Sequence, residues 1–199
     1  MSFILHYKMM LKKIFKFVRN LICAFGLILI SPFLFFAALM VIIEDGMPVF
    51  FIQERVGVNN TIFQIIKIRT LKMEAPNTGT HHLDQKYQLK CGKIFRKIKL
   101  DEFPQLINVL IGDINLIGPR PGLTSQKELT KYRSANGVYE IKPGITGLSQ
   151  VLGYDMSDPL KLAEIDKLYI KNKSIYMDFL ILLGTFVRFP KNYLIKLIT

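Results

Sequence analysis

Two adjacent carboxylates, Asp101 and Glu102, precede a stretch in which apolar residues recur with the spacing of one helix face. The pattern predicts an amphipathic helix that ends at Gly112, with Asp101 as its N-cap. The N–H groups of a first helical turn are unpaired and partly positive, so they can bind phosphate and keep Asp101 ionised. An ionised carboxylate can attack phosphorus, and its neighbour can hold Mg²⁺ against a diphosphate. Simple helix capping is the alternative role for the pair.

A single arginine, Arg120, lies between two prolines in the sequence GPRPG, residues 118–122. The prolines restrict the backbone on both sides, so the guanidinium is presented at low entropy cost and can donate two parallel hydrogen bonds to a phosphate. A surface turn with an incidental arginine is the alternative. Arg96 and Arg55 can add positive charge to such a site. Together with the two carboxylates, these residue types indicate phosphoryl transfer.

A charge-free apolar segment, residues 21–43, follows a basic N-terminus. Its length is enough for a helix to cross a bilayer, and the basic residues before it favour a cytoplasmic N-terminus. A straight crossing would place residues 46–199 outside the cell. However, Pro32, which follows Ser31 near the midpoint, removes a backbone hydrogen bond and can kink the helix so that the chain returns to the same face. The segment alone favours the crossing and leaves the re-entrant form open.

The composition of the chain limits its organisation and its partners. With 199 residues, half of them apolar, it has room for a membrane element, residues 1–45, and one globular domain, residues 46–199. The net charge of +12 favours anionic partners such as membrane lipid head groups and nucleotides. No nucleic acid partner is expected, because the sequence contains no zinc-finger or RNA-binding signature. His81 and His82 have no metal-ligand spacing, and a polar loop is expected there.

Periodicity and turn residues predict an α+β fold for the domain, with a small sheet and several amphipathic helices. Two strands are expected at residues 48–57 and 62–71, joined by a turn at residues 59–60. Asp158 is expected to cap a helix, because a proline follows it. The apolar run in the tail, residues 174–199, is too short to span a bilayer, but its basic residues suit an interfacial helix.

Five motifs of this chain, which occur in order, strongly resemble those of the bacterial sugar transferases, the monotopic phosphoglycosyl transferases. The resemblance extends from about residue 11 to residue 186, and several collinear motifs make it more specific than any one alone. The motifs are QERVG (53–57), KIRTLKM (67–73), FRKIKLDEFPQLINVLIGDINLIGPRPGL (95–123), KPGITGLSQV (142–151) and DKLYIKNKSIYMDFLIL (166–182).

The resemblance implies a ping-pong transfer at the inner (cytoplasmic) membrane. The residue matching Asp101 attacks the β-phosphate of a UDP-sugar, releases UMP and holds the phosphosugar, which undecaprenyl phosphate then accepts. Glu102 matches the partner carboxylate associated with Mg²⁺. Ser31 and Pro32 match the kink of a re-entrant helix-break-helix, which places the N-terminus and residues 46–199 together on the cytoplasmic face.

Basic residues of the motifs match positions that meet phosphates. Arg96 and Arg120 are the first candidates for this role, and Arg55 and Lys67 are added to the predicted phosphate-binding set. Lys99 departs from the family pattern, since a small hydroxyl residue is usual there, and this departure leaves donor specificity in doubt. Neither the sugar nor the pathway follows from the resemblance.

Two other classes of protein are compatible with parts of the sequence. A non-catalytic, membrane-associated scaffold for glycan assembly would explain the basic charge and the apolar segment, but it would not need the Asp101–Glu102 pair. A polytopic transferase that forms no covalent intermediate would need several membrane spans, and the sequence offers one convincing apolar stretch. The expected function is therefore that of a membrane-embedded phosphoglycosyl transferase that begins the assembly of a surface glycan.

Overall fold

The computed structural model describes residues 2–76, 85–187 and 194. Two compact units make up the chain: the first contains Met1–Ile52 and Ile66–Ile111, and the second contains Gln53–Ile65 and Gly112–Thr199. The predicted polar loop with His81 and His82 lies outside the described residues, as does most of the tail beyond residue 187. Helices and two small sheets confirm the expected mixture of helix and strand.

The first unit begins with α1, Ser2–Asp45, one helix that contains Pro32. Within the described part of the chain, it is the one helix whose length and apolar composition would allow it to cross a membrane. Pro32 has no N–H to donate to the carbonyl of Ile28, four residues earlier. The Ser31 hydroxyl donates to that carbonyl instead, at 2.8 Å. The serine therefore supplies the hydrogen bond that the proline removes, whereas the predicted re-entrant bend stays a prediction.

The C-terminal end of α1 is fixed by its two acidic residues. Glu44 accepts hydrogen bonds from the backbone N–H groups of Lys90 and Cys91, at 2.6 and 2.9 Å. These N–H groups belong to the first turn of α2, Lys90–Lys97. Asp45 forms an ion pair with the buried Arg69. The last turn of the apolar helix is thus attached to the rest of the first unit by charge-assisted hydrogen bonds.

The predicted strands are present as β1, Phe50–Val56, and β2, Ile62–Ile68, which pair as a two-stranded sheet. Asn59 and Asn60 both have positive φ, 51° and 60°, in the connection between them. Asparagine tolerates this left-handed region better than most residues, which explains why the pair marked the turn correctly.

The helix after the two carboxylates differs from the prediction in its start. Helix α3 spans Gln105–Ile111, and a separate 3-10 turn, Leu100–Glu102, precedes it. Asp101 therefore lies inside the 3-10 turn and is not the N-cap of the helix. Helix α3 buries Asn108, whose Oδ1 accepts a hydrogen bond from the N–H of Ile66 at 3.1 Å. The apolar stripe of this helix is only partly covered, since Ile107 is 40% exposed and Ile111 66%.

In residues 53–65 and 112–187, the second unit contains a short parallel sheet and four α-helices. Strands β3, Asn115–Ile117, and β4, Gly144–Thr146, pair in parallel, with Asn115 opposite Gly144 and Ile117 opposite Thr146. The helices are α4 (Lys127–Ala135), α5 (Leu148–Leu152), α6 (Pro159–Lys171) and α7 (Ile175–Phe186).

Asp158 caps α6 as predicted, since its Oδ1 accepts from the N–H of Lys161 at 3.0 Å. The core of this unit is formed by buried side chains of α5, α6 and α7 together with Leu194. Helix α7 also exposes large apolar side chains, including Ile175, Phe179 and Phe186. An exposed apolar helix face is typical of an interfacial helix, and the interfacial role of the tail stays a prediction.

Candidate active site

Asp101 is the buried member of the carboxylate pair. Only 8% of its surface is exposed, because the 3-10 turn packs it into the first unit next to Leu100. Burial raises the pKa of Asp101, and the charge of the neighbouring Glu102 raises it further. The sequence predicted the opposite effect, stabilisation of the ionised form by a helix start. The 3-10 turn removes Asp101 from water instead. An ionised carboxylate is more reactive when it is desolvated.

Two cations oppose this effect. Strand β2 carries Lys67, whose Nζ lies 3.0 Å from Oε1 of Glu102 in a partly buried ion pair. Lys67 and Arg96 both lower the pKa of Asp101 through their charges. Both cations therefore act on Asp101 through their charges, and an anion that approaches this carboxylate meets positive charge beside it.

Arg96 is held at the end of α2 by a residue that the sequence analysis did not single out. Its Nε donates a hydrogen bond to the hydroxyl of Thr70 at 2.9 Å. A Cβ at Gly92 would overlap the Thr70 carbonyl, so glycine is what allows α2 to approach this segment closely. Burial lowers the pKa of Arg96, while Asp101 and Glu102 raise it. A guanidinium keeps its charge under such conditions, so Arg96 stays a cation.

The structure thus brings together four of the predicted site residues, Lys67, Arg96, Asp101 and Glu102, within the first unit. Thr70 lies in the motif KIRTLKM, residues 67–73, directly after Arg69. Its position in that motif was the available signal, but its hydrogen bond to Arg96 depends on tertiary packing.

A cysteine in the same unit is unsuited to nucleophilic chemistry. Cys91 is 4% exposed, and burial together with the neighbouring Glu44 raises the pKa of its thiol to about 12. The thiolate is the reactive form of cysteine, and it is essentially absent at neutral pH with such a pKa. Of these two residues, the carboxylate of Asp101 is therefore the better candidate nucleophile.

A magnesium ion would have few protein ligands here. No group of three or more His, Cys, Asp or Glu side chains that could hold a metal occurs among residues 2–76 and 85–187. Mg²⁺ is commonly bound by one or two carboxylates together with substrate phosphates and water. Asp101 and Glu102 fit that limited role, and the ion pair with Lys67 neutralises Glu102 while no metal is bound.

The second unit holds the turn at residues 118–122 through its carbonyl groups. The Pro119 carbonyl accepts from the N–H of Gly144 at 3.0 Å, and the Gly122 carbonyl accepts from the N–H of Val56 at 3.0 Å. A Cβ at Gly118 would lie 2.7 Å from the carbonyl oxygen of Lys142, so only glycine fits there. The backbone that presents Arg120 is therefore fixed by hydrogen bonds as well as by its prolines.

Arg55, another predicted phosphate-binding residue, lies in the same unit and supports this turn. Its Nη1 donates to the carbonyl of Pro121 at 3.1 Å, and its Nη2 donates to Oε1 of Gln53 at 2.6 Å. The structure thus brings Arg55 together with the backbone next to Arg120. A further arginine, Arg133, contacts the same turn and was not identified from the sequence; its Nη1 donates to the carbonyl of Arg120 at 2.8 Å.

Comparison with known proteins identifies the family. Residues 7–192 match the family described as bacterial sugar transferase. An uncharacterised sugar transferase, EpsL, of Bacillus subtilis is 37% identical over 174 residues, which are 87% of this chain and 84% of that protein. A UDP-N-acetylgalactosamine-undecaprenyl-phosphate N-acetylgalactosaminephosphotransferase of Aeromonas hydrophila is 36% identical over 167 residues, 79% of this chain and 39% of that protein.

A third relative is a UDP-glucose:undecaprenyl-phosphate glucose-1-phosphate transferase of Caulobacter vibrioides, 34% identical over 168 residues, 79% of this chain and 62% of that protein. The chain thus spans less than two thirds of the length of the two relatives whose names state a substrate. The family match covers most of the chain and includes every motif singled out from the sequence. The chain belongs to the bacterial sugar transferase family.

Proposed function

We propose that this protein is a phosphoglycosyl transferase that moves a sugar-1-phosphate from a UDP-sugar to undecaprenyl phosphate and releases UMP. The observation that carries the proposal is the group formed by Asp101, Glu102, Lys67 and Arg96. A desolvated carboxylate lies there next to two cations, which is the arrangement that an attack on a diphosphate requires. Relatives named for UDP-sugar and undecaprenyl phosphate support the choice of substrates.

The reaction has two displacements at one phosphorus atom. A carboxylate oxygen of Asp101 attacks the β-phosphorus, the bond from that phosphorus to the bridging oxygen breaks, and UMP leaves with the electron pair. An oxygen of undecaprenyl phosphate then attacks the same phosphorus, and the Asp101 carboxylate leaves. Arg96 balances the negative charge that develops on the phosphate oxygens beside Asp101, and Arg120 is assigned to phosphate binding by its motif.

Mg²⁺, when bound, would neutralise charge on the donor diphosphate. Glu102 and Asp101 would hold the ion together with phosphate oxygens. Because Lys67 is paired with Glu102 at 3.0 Å, the lysine must yield part of this contact when an ion binds, and its charge is then available to the phosphates. Lys67 is thus the counter-ion of Glu102 while no Mg²⁺ is bound, and it interacts with phosphate once the ion has bound.

A donor screen tests the proposed function. Purified protein in detergent or nanodiscs is incubated with Mg²⁺, undecaprenyl phosphate and each member of a panel of UDP-sugars, and UMP release is measured. Release of UMP with one or a few donors, dependent on the lipid at steady state, supports a transferase. If no donor in a broad panel yields UMP, the rival function, a non-catalytic membrane scaffold, is favoured.

The protein is also proposed to enter the membrane and return to the cytoplasmic face. In the first unit, α3 packs against the beginning of the apolar segment, where a Cβ at Gly26 would lie 3.7 Å from Leu106. The other end of the segment is attached to α2 through Glu44. A straight helix between these two residues would be about 27 Å long, close to the thickness of a bilayer core. A bend at Ser31-Pro32 keeps both contacts on one side.

Cysteine labelling from each side of the membrane tests this topology. Lys13→Cys and Lys131→Cys, in a background without Cys23 and Cys91, should both be labelled from the cytoplasmic side. Pro32→Ala restores the missing N–H donor and permits a straighter helix, so it should shift some molecules towards a full crossing. Phe33→Leu, which keeps both Ser31 and Pro32, is the matched control and should retain the wild-type pattern. If Pro32 is retained and positions 13 and 131 are labelled from opposite sides of the membrane, the re-entrant form is contradicted.

Replacement of Arg120 by lysine tests its role towards phosphate. A single ammonium group keeps the charge but cannot donate two parallel hydrogen bonds from a planar group. We expect Arg120→Lys to lower kcat/KM at a transition-state cost of about 1.5–3 kcal/mol, the range for hydrogen bonds to charged groups. Lys127→Arg, at an exposed position of the same unit, is a control that should leave kcat/KM unchanged. An unchanged value in Arg120→Lys would mean that the turn is only structural.

A further inference from the structure

A buried ion pair lies behind the turn that carries Arg120. Arg133 on α4 and Asp166 on α6 are each 1% exposed. Both Nε and Nη2 of Arg133 donate to Oδ2 of Asp166, at 3.0 and 2.6 Å. The other carboxylate oxygen, Oδ1, accepts from the hydroxyl of Ser149 on α5, at 3.3 Å. Three helices of the second unit therefore meet at one pair of charges.

The remaining nitrogen of the guanidinium contacts the turn that carries Arg120. Nη1 of Arg133 donates to the carbonyl oxygen of Arg120 at 2.8 Å. The residue after Arg120 is a proline, which already restricts Arg120 to extended conformations. The hydrogen bond from Arg133 fixes the peptide group that links Arg120 to Pro121 and thereby limits the direction in which the Arg120 side chain leaves the backbone.

Stability alone is a poor explanation for this arrangement. Transferring two charges to a protein interior is costly, and apolar residues of similar volume often replace a buried ion pair with no loss of stability. Burial raises the pKa of Asp166, because desolvation disfavours the charged form of its carboxyl group. What an apolar pair could not supply is a donor for the Arg120 carbonyl.

We propose that Arg133 is a positioning residue for phosphoryl transfer: its guanidinium, oriented by Asp166, holds the Arg120 carbonyl and so directs the Arg120 side chain towards phosphate. The proposal rests on the proposed function, because it assigns Arg133 no contact with substrate. Its effect on the reaction passes through Arg120. Three nitrogens of the planar Arg133 guanidinium donate to two acceptors, the Asp166 carboxylate and the Arg120 carbonyl. The ammonium group of a lysine cannot reproduce this geometry.

A double-mutant cycle separates positioning from a structural role. Arg133→Lys keeps a positive charge beside Asp166 but loses the fixed donor to Arg120. We expect it to lower kcat/KM about tenfold or more in the wild-type background, yet less than about threefold in an Arg120→Ala background. The change in melting temperature should be the same in both backgrounds. Equal fold-losses in the two backgrounds, or no loss in the first, would overturn the proposal.

Two more variants keep the test decisive. Ser149→Ala removes a contact on the far side of Asp166 and leaves the Arg133–Arg120 bond in place, so it should lower stability without a comparable loss of kcat/KM. If Arg133→Lys does not fold, the double variant Arg133→Met/Asp166→Leu replaces the ion pair by apolar side chains. We expect that protein to fold and to show the same tenfold or greater loss, dependent on Arg120. A folded double variant with wild-type kcat/KM would overturn the proposal.

The same cycle distinguishes this inference from the function on which it rests. If Arg120→Ala alone leaves kcat/KM unchanged, the proposed role of Arg120 fails, and the inference fails with it. If Arg120→Ala costs activity and the Arg133 variants do not, the role of Arg120 stands and only the positioning by Arg133 is refuted.

Discussion

Replacement of Asp101 by asparagine is expected to abolish sugar-phosphate transfer. The amide has almost the same shape as the carboxylate, but it is a poor nucleophile towards phosphorus and cannot form the acyl phosphate. Loss of a nucleophile that acts as part of a catalytic group lowers turnover by at least about 10⁴-fold. Steady-state UMP release with the preferred donor and undecaprenyl phosphate measures the effect. Wild-type turnover in purified Asp101→Asn would refute the assignment of the nucleophile.

The same variant should not be less stable than the wild type. Because folding raises the pKa of Asp101 above its unfolded value, ionisation of this residue opposes folding. This loss of stability begins as the pH rises above the pKa that Asp101 has in the unfolded chain. It is complete once the pH is above the pKa of Asp101 in the folded protein. Asparagine removes it, so the free energy of unfolding at neutral pH should stay equal or rise, and the difference should shrink as the pH falls. A strongly destabilised Asp101→Asn would show that the loss of activity is a folding defect.

Replacement of Glu102 by glutamine is expected to impair the enzyme severely and to change its pH dependence. Glutamine is a weaker ligand for Mg²⁺ than a carboxylate and leaves Lys67 without its counter-ion. It also removes a charge that raises the pKa of Asp101. The pKa of the nucleophile should therefore fall, and the acid side of the kcat/KM profile should move to lower pH.

Lys67→Met is the matched variant, because its effect on the profile has the opposite sign. Lys67 lowers the pKa of Asp101, so its removal should raise that pKa and move the acid side of the profile to higher pH. Both profiles are measured as kcat/KM against pH, since this ratio reports the ionisation of the free enzyme. Shifts of the two variants in the same direction would contradict the proposed electrostatics of the site.

Much of the candidate site could be predicted from the sequence, because local chemistry marks it. An acidic pair before an amphipathic stretch and an arginine between two prolines are readable without a fold. The turn at Asn59 and Asn60 and the cap at Asp158 were also correct, since both depend on residues within a few positions of one another. The family match over residues 7–192 confirms the resemblance that the motifs indicated.

The errors came from tertiary packing. The periodicity of α3 did not show which of its faces is buried: Asn108 is buried and accepts a hydrogen bond from the N–H of Ile66, whereas Ile111 is exposed. A hydrophobic pattern gives the period of a helix but does not tell whether protein or lipid covers the apolar side. Burial of Asp101 likewise depends on how a 3-10 turn packs, which no local pattern encodes.

Residues that act at a distance in sequence were not found either. Thr70 binds Arg96 across 26 positions, and Arg133 pairs with Asp166 across 33. Arginine on a helix and aspartate on a later helix are common surface residues. Only the fold shows that this pair is buried and connected to Arg120.

A direct search for the covalent intermediate tests the central claim, attack by Asp101 on the donor. The wild-type protein is incubated with Mg²⁺ and the preferred UDP-sugar in the absence of undecaprenyl phosphate, and the intact protein and its peptides are analysed by mass spectrometry. The account predicts one equivalent of UMP released and a mass increase equal to the phosphosugar, located on the peptide that contains Asp101. Asp101→Asn should show neither change, and undecaprenyl phosphate should remove the adduct from the wild type. An active wild-type protein that releases UMP only when the lipid is present, with no adduct at any time, would contradict the account.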